Sequence, residues 1–155
     1  MSILQTLSST NISYFTVPLV FMGTCIGPFV FAIAKAGKAY DIAYPRTLRD
    51  GVAKSETLSK ETKQLIFRAV SASENGFESI GVFTGAVVAA NQVGLDTKLV
   101  NCLAGGYLAA RIAFVFAYVW VGKNRELAWV RPLCFASSVT AMLSMWVMAG
   151  LKAAA

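Results

Sequence analysis

Histidine is absent from this 155-residue chain, and cysteine occurs only three times. Without histidine, imidazole acid–base catalysis is excluded, and so are His-containing metal clusters. Cys25, Cys102 and Cys134 sit singly in apolar stretches without C-x-x-C spacing, so buried structural thiols are the expected state. Charge is scarce too, at 14% of residues, with eight acidic against fourteen basic side chains. What fills the chain instead is apolar: 56% hydrophobic residues and a mean hydropathy of +0.59 describe a small integral membrane protein rather than a soluble domain.

Four apolar stretches follow from this composition, at about 14–36, 65–92, 99–121 and 132–151, within a single domain over 1–155. The fold class is therefore all-α, an integral membrane four-helix bundle, because about 20 apolar residues cross the ~30 Å hydrocarbon core. The first stretch is uncharged until Lys35. Its apolar run is too long for a secretory signal and no basic segment precedes it, so it reads as a retained helix. Ser59 followed by Glu61 suits a helix start, Gly94 a stop, Asp96 a new N-cap and Pro132 the first turn of the last helix. The second helix then runs from about Lys60 to Gln92, too long for the hydrocarbon at ~1.5 Å per residue, and its N-terminal end projects into water.

Basic residues fix the orientation, since Lys and Arg in short loops stay cytoplasmic. Lys35, Lys38, Arg46, Arg49, Lys54, Lys60 and Lys63 fall in or beside loop 37–60, and Lys123, Arg125 and Arg131 in the third loop. Only Lys98 and Lys152 lie on the other side, so the large loop is expected in the cytoplasm and both termini outside it. The net charge of +6 is accounted for by topology and by contact with anionic lipid, and nucleic acid is not needed as a partner. Asn11-Ile12-Ser13 matches a glycosylation sequon but abuts the first span, and is expected to be unmodified.

The second stretch carries the chemistry. Arg68, Glu74, Asn75 and Glu78 lie where hydrophobic residues belong, and ionisable groups inside a membrane default to functional candidates. At about 100° per residue, Arg68, Ser71, Asn75 and Glu78 fall within about a quarter-turn, with Glu74 slightly outside. On the third stretch Tyr107, Arg111, Phe114, Tyr118 and, if the helix continues, Arg125 share another face. One reading is structural: Arg111 pairs with Glu74 or Glu78 as a buried salt bridge that sets helix register. The other starts from the surplus of arginines over glutamates, which suits an anionic, partly polar ligand held between helices near the cytosolic face. A lone bundle would present one of these faces to lipid, whereas an oligomer buries both.

These residues carry a resemblance. Arg68-Ala69-x-x-Ala72-x-x-Asn75-Gly76-Phe77-Glu78 is similar to the R-A-x-x-A-x-x-N-G-x-E signature of the membrane-associated proteins in eicosanoid and glutathione metabolism, the MAPEG family. Arg111-x-x-Phe114-x-x-x-Tyr118 resembles the R-x-x-Y-x-x-x-Y element of that family, Arg125 its last-loop arginine, and Asp41-x-x-x-Pro45-Arg46 its first-loop D-x-R-x-P-R. The resemblance implies a homotrimer with glutathione bound between protomers, in the endoplasmic reticulum of a eukaryote or the inner membrane of a bacterium. Arg68, Glu74, Asn75, Glu78, Arg111, Tyr118 and Arg46 are then the glutathione-binding residues. Tyr118 and Arg125 are the catalytic pair, Arg125 stabilising the thiolate, which is the nucleophilic form. The expected activity is that of a glutathione-dependent transferase or isomerase acting on a lipophilic electrophile or lipid-like substrate. Ser71, Ser73 and Phe114 depart from the pattern of leukotriene-synthase-type members and support an alternative, a non-catalytic or glutathione-independent protein that binds a lipid or hydrophobic metabolite.

Overall fold

The computed structural model describes residues 10–155, and every regular element among them is helical. Helix α1 is a continuous run over residues 13–36, built from Ser13–Val20, a π-helical turn at Phe21–Ile26, and Gly27–Ala36. The first loop holds 3-10 turns at Gly37–Ala39 and Pro45–Thr47 and the short helix α2, Leu48–Lys54. Three long helices follow: α3, Lys60–Gln92; α4, Thr97–Val119; and α5, Val130–Ala153. Between α4 and α5 lie 3-10 turns at Val121–Lys123 and Arg125–Leu127.

The helix ends are written locally. Ser59 caps α3 by accepting the Thr62 N–H at 3.2 Å, and Asp96 caps α4 by accepting that of Leu99 at 2.9 Å. Gly94, at φ +67°, closes α3: its N–H donates to Asn91 and that of Leu95 to Ala90, the paired bonds of a Schellman motif that β-carbon-bearing residues form poorly. The last helix begins two residues ahead of Pro132, which stays within its first turn, where a missing N–H costs nothing.

Three segments are long and apolar enough to cross a membrane: Ser13–Ala39, Thr97–Val119 and Arg125–Ala153. The 33-residue α3 is the longest of the described helices and carries more charge than any other, so hydropathy passes over it. It is also the central one, in contact with α1, α2, α4 and α5. Small residues make this possible: Ala69, Ala72, Gly76, Ala86 and Ala90 are all buried, which lets neighbouring backbones approach closely.

One such close approach is at the π turn of α1. Pro28 has no N–H to give the Thr24 carbonyl, and Gly27 donates instead to Met22, five residues back. α3 uses the carbonyls that this rearrangement turns outward. Ser73 Oγ donates to the Cys25 carbonyl at 2.5 Å, and a β-carbon on Gly76 would lie 2.5 Å from the Thr24 carbonyl oxygen.

Two apolar clusters form along the bundle. Near the first loop, Ala32, Leu48, Val52, Ile66, Phe114 and Val119 pack together. Toward the opposite end, Val20, Phe83, Val87, Val100, Tyr107 and Met145 do the same, with Phe83 and Tyr107 stacked at 3.8 Å. Between the clusters lies a polar layer: Thr24, Cys25, Ser73, Asn75, Ser79 and Arg111. Beyond the second cluster, Asn11 Nδ2 donates to Asn91 Oδ1 at 2.5 Å and Asn91 Nδ2 donates to Ser13 Oγ at 3.0 Å. The sequon amide is thus engaged in tying the start of α1 to α3.

Candidate functional site

Arg111 is the centre of the polar layer. It is 1% exposed, and its Nη2 donates to the main-chain carbonyl of Asn75 at 3.0 Å and to Ser79 Oγ at 2.9 Å. The guanidinium also lies 4.9 Å above the Phe114 ring. The expected ion pair with Glu74 or Glu78 does not form. Arg111 Nε and Nη1 and Asn75 Oδ1 are buried without a partner among the described residues, an expensive state for polar groups. They border a cavity of about 220 Å³ between α3, α4 and α5, onto which Glu78, Tyr107 and Ser138 also face. Glu78 itself is exposed. The chemistry such a set suits is a ligand bearing both a carboxylate for the guanidinium and an amine for Glu78.

Glu74 points elsewhere. Its Oε2 meets Arg49 Nη2 at 2.5 Å in the only salt bridge among the described residues, and the same Nη2 donates to Ser71 at 3.1 Å. Neighbours on a helix differ by about 100°, so Glu74 and Asn75 address different faces of α3. On the Glu74 face, α1, the first loop and α3 enclose a groove of about 690 Å³, with Phe29, Val70 and Phe77 as apolar wall and Arg46, Arg49 and Glu74 as polar rim. This is within the roughly 300–1,000 Å³ of small-molecule sites, whereas the Arg111 cavity falls below it.

Arg68 occupies a third place. Its Nε donates to the Val119 carbonyl at 2.9 Å, in a cleft beside the end of α4. Tyr118 lies under the Arg131 guanidinium, 4.7 Å from ring centre to Cζ, and edge-on to Phe114. Arg125 is not on α4: that helix stops at Val119, and Asn124 Oδ1 accepts the Glu126 N–H at 3.0 Å to cap a separate 3-10 turn that carries Arg125 exposed to solvent. The structure therefore gathers Asn75, Glu78 and Arg111 in one cavity and Arg46 with Glu74 in one groove. Arg68, Tyr118 and Arg125 line neither.

Arg49 and Ser79 escaped the reading of the sequence as site residues. Ser79 follows Asn75 by four positions and so shares its face, a signal that was there to be used. Arg49 registered only as loop charge. It follows Arg46 by one helical turn, but its reach to α3 is a tertiary contact. Of the departures, Ser73 packs between α1 and α3, Ser71 accepts from Arg49, and Phe114 supports the Arg111 guanidinium.

The MAPEG family model matches residues 15–151, nearly the whole chain. The chain belongs to the MAPEG family. No curated protein and no solved structure matches it. MAPEG proteins include glutathione transferases and related proteins, and members commonly use glutathione. Apolar helices in a MAPEG chain fit a multi-pass membrane protein in contact with lipid.

Proposed function

We propose that this protein is a membrane-bound glutathione-dependent transferase or isomerase acting on a lipophilic electrophile, with its site completed between copies in a trimer of four-span protomers. The observation that carries the reading is the division of polar side chains over two faces of α3. Asn75, Glu78 and Arg111 face one way and Arg46, Arg49 and Glu74 the other, and a neighbouring copy would bring the two sets together. The orphaned N–H groups of Arg111 and the unpartnered Asn75 Oδ1 fit a tripeptide with carboxylates, an amine and amide groups.

In this arrangement Glu78 receives the amine, while Arg111 and Arg46 receive carboxylates. Glutathione supplies a thiol nucleophile when bound. Arg125, exposed and free of any side-chain partner among the described residues, is the cation we assign to hold that sulfur as thiolate, with the Tyr118 hydroxyl as a second donor. The apolar groove along Phe29 and Phe77 offers the electrophile an approach from the bilayer.

The test is titration calorimetry of the detergent-purified protein with glutathione, followed by turnover with an aryl halide. Arg46→Ala and Glu78→Gln protomers are expected to be weak separately and to regain binding when co-assembled, because some junctions then receive both intact halves. No recovery in mixed assemblies would place the site within one protomer. No glutathione binding by the wild type would leave the second reading, a lipid-binding protein, for which the apolar groove is the supporting feature.

A further inference from the structure

We propose that the cleft where the end of α4 meets the start of α3 binds one anionic phospholipid, its phosphate held by Arg68 and Lys123. The proposal concerns neither the Arg111 cavity nor the groove beside Glu74 and goes beyond the glutathione reading. The cleft has a volume of about 340 Å³. Arg68 is half-buried in it, and its single bond, from Nε to the Val119 carbonyl, fixes one edge of the guanidinium against the α4 terminus. The Nη groups are left without an acceptor among the described residues. Lys123, one turn beyond the end of α4, is exposed and also unpartnered.

One carboxylate faces this pair, that of Glu61. It forms no ion pair with either cation, and its own backbone N–H and then the Ser59 hydroxyl hold its pKa below the usual range, which ties it to the start of α3. Arg68 and Lys123 therefore outweigh it. Thr62 adds a hydroxyl and Leu65 an apolar floor.

Position decides between a lipid and a soluble anion. The apolar run of α4 ends at Val119, so the cleft sits where hydrocarbon gives way to headgroups. Trp120, at that boundary, is 42% exposed and leans on Phe31 and Phe116 at 5.5 and 5.3 Å, the placement of an interfacial anchor with a ring presented to acyl chains. Two cations able to take a phosphate, beside an indole able to meet an acyl chain, suit a phospholipid rather than a soluble anion.

The full-length protein in nanodiscs with equal phosphatidylglycerol and phosphatidylcholine, released for native mass spectrometry, tests this. Wild type is expected to retain one phosphatidylglycerol per protomer in preference to phosphatidylcholine. Lys123→Glu, at an exposed position that leaves packing untouched, and Arg68→Gln are each expected to reduce that preference at least about fivefold. Millimolar inorganic phosphate should not displace the lipid. Equal retention of the two lipids, no change in Lys123→Glu, or displacement by free phosphate overturns the proposal. Glutathione titration of the same preparations separates the readings, since loss of glutathione binding leaves the lipid preference unmoved.

Discussion

Arg111 of α4 donates its Nη2 to the main-chain carbonyl of Asn75 on α3 at 3.0 Å, and this bond holds the two polar faces of the bundle together. A carbonyl in mid-helix is already the acceptor of its own helical bond, and Ser79 Oγ donates to this one as well, at 2.9 Å. Arg111 is consequently a fixed donor platform whose remaining N–H groups point at a small cavity, rather than half of a closed ion pair.

Glu78→Gln is expected to weaken glutathione binding by the ~1.5–3 kcal/mol of a hydrogen bond to a charged group without changing the melting temperature, because Glu78 is exposed and has no partner among the described residues. Arg111→Ala should lower the melting temperature, since it removes the bonds to Asn75 and Ser79 together. Calorimetry and thermal unfolding in one detergent separate the two. A fall in melting temperature for Glu78→Gln would make Glu78 a structural residue.

Gly76→Ala should destabilise the protein by roughly 1–3 kcal/mol, the ordinary cost of overpacking. The new methyl would meet backbone, the Thr24 carbonyl oxygen at 2.5 Å and its carbon at 2.8 Å, and backbone cannot rotate away. Gly105→Ala is the control: nothing lies within 4 Å of a β-carbon there, and helix propensity makes alanine neutral or slightly favourable. Thermal unfolding of both variants decides.

Crosslinking in mild detergent is expected to stop at three protomers. A stable monomer that binds glutathione with full affinity would refute a site shared between copies, and with it the role assigned to Arg46.

Arg125→Ala should leave glutathione bound but lower the ultraviolet absorbance of its thiolate at neutral pH, and reduce turnover with an electrophile. Arg125→Lys keeps the charge and loses the planar fork, so its effect should be intermediate. If lysine replaces arginine without loss, Arg125 serves only as topogenic charge at the cytosolic boundary. Wild type that binds glutathione without a thiolate signal would leave a binding protein.

The long helices were legible because their signals are local. Ser59, Gly94 and Asp96 mark ends through bonds to residues within a few positions of themselves, and apolar runs identify three helices long and apolar enough to cross a membrane. The family was legible for a related reason, since its signature lies in short contiguous motifs.

The partners of the charged residues were not. Periodicity put Arg68, Asn75 and Glu78 on one stripe and Arg111 opposite, and it offered Glu74 or Glu78 as the counter-charge. Arg49, twenty-five positions upstream of Glu74, took that carboxylate instead, and Arg68 turned to the Val119 carbonyl at the end of α4. Which face of α3 meets which neighbour depends on the π turn of α1, whose carbonyls Ser73 and Gly76 approach, and on where α2 docks in the loop. Sequence alone determined that this chain is helical, membrane-seeking and a MAPEG protein, because those properties are sums over local preference. Tertiary structure decided which arginine is neutralised and which is left open to a ligand, because that choice rests on how closely the helices approach α3, as where one β-carbon at Gly76 would push α1 away from it.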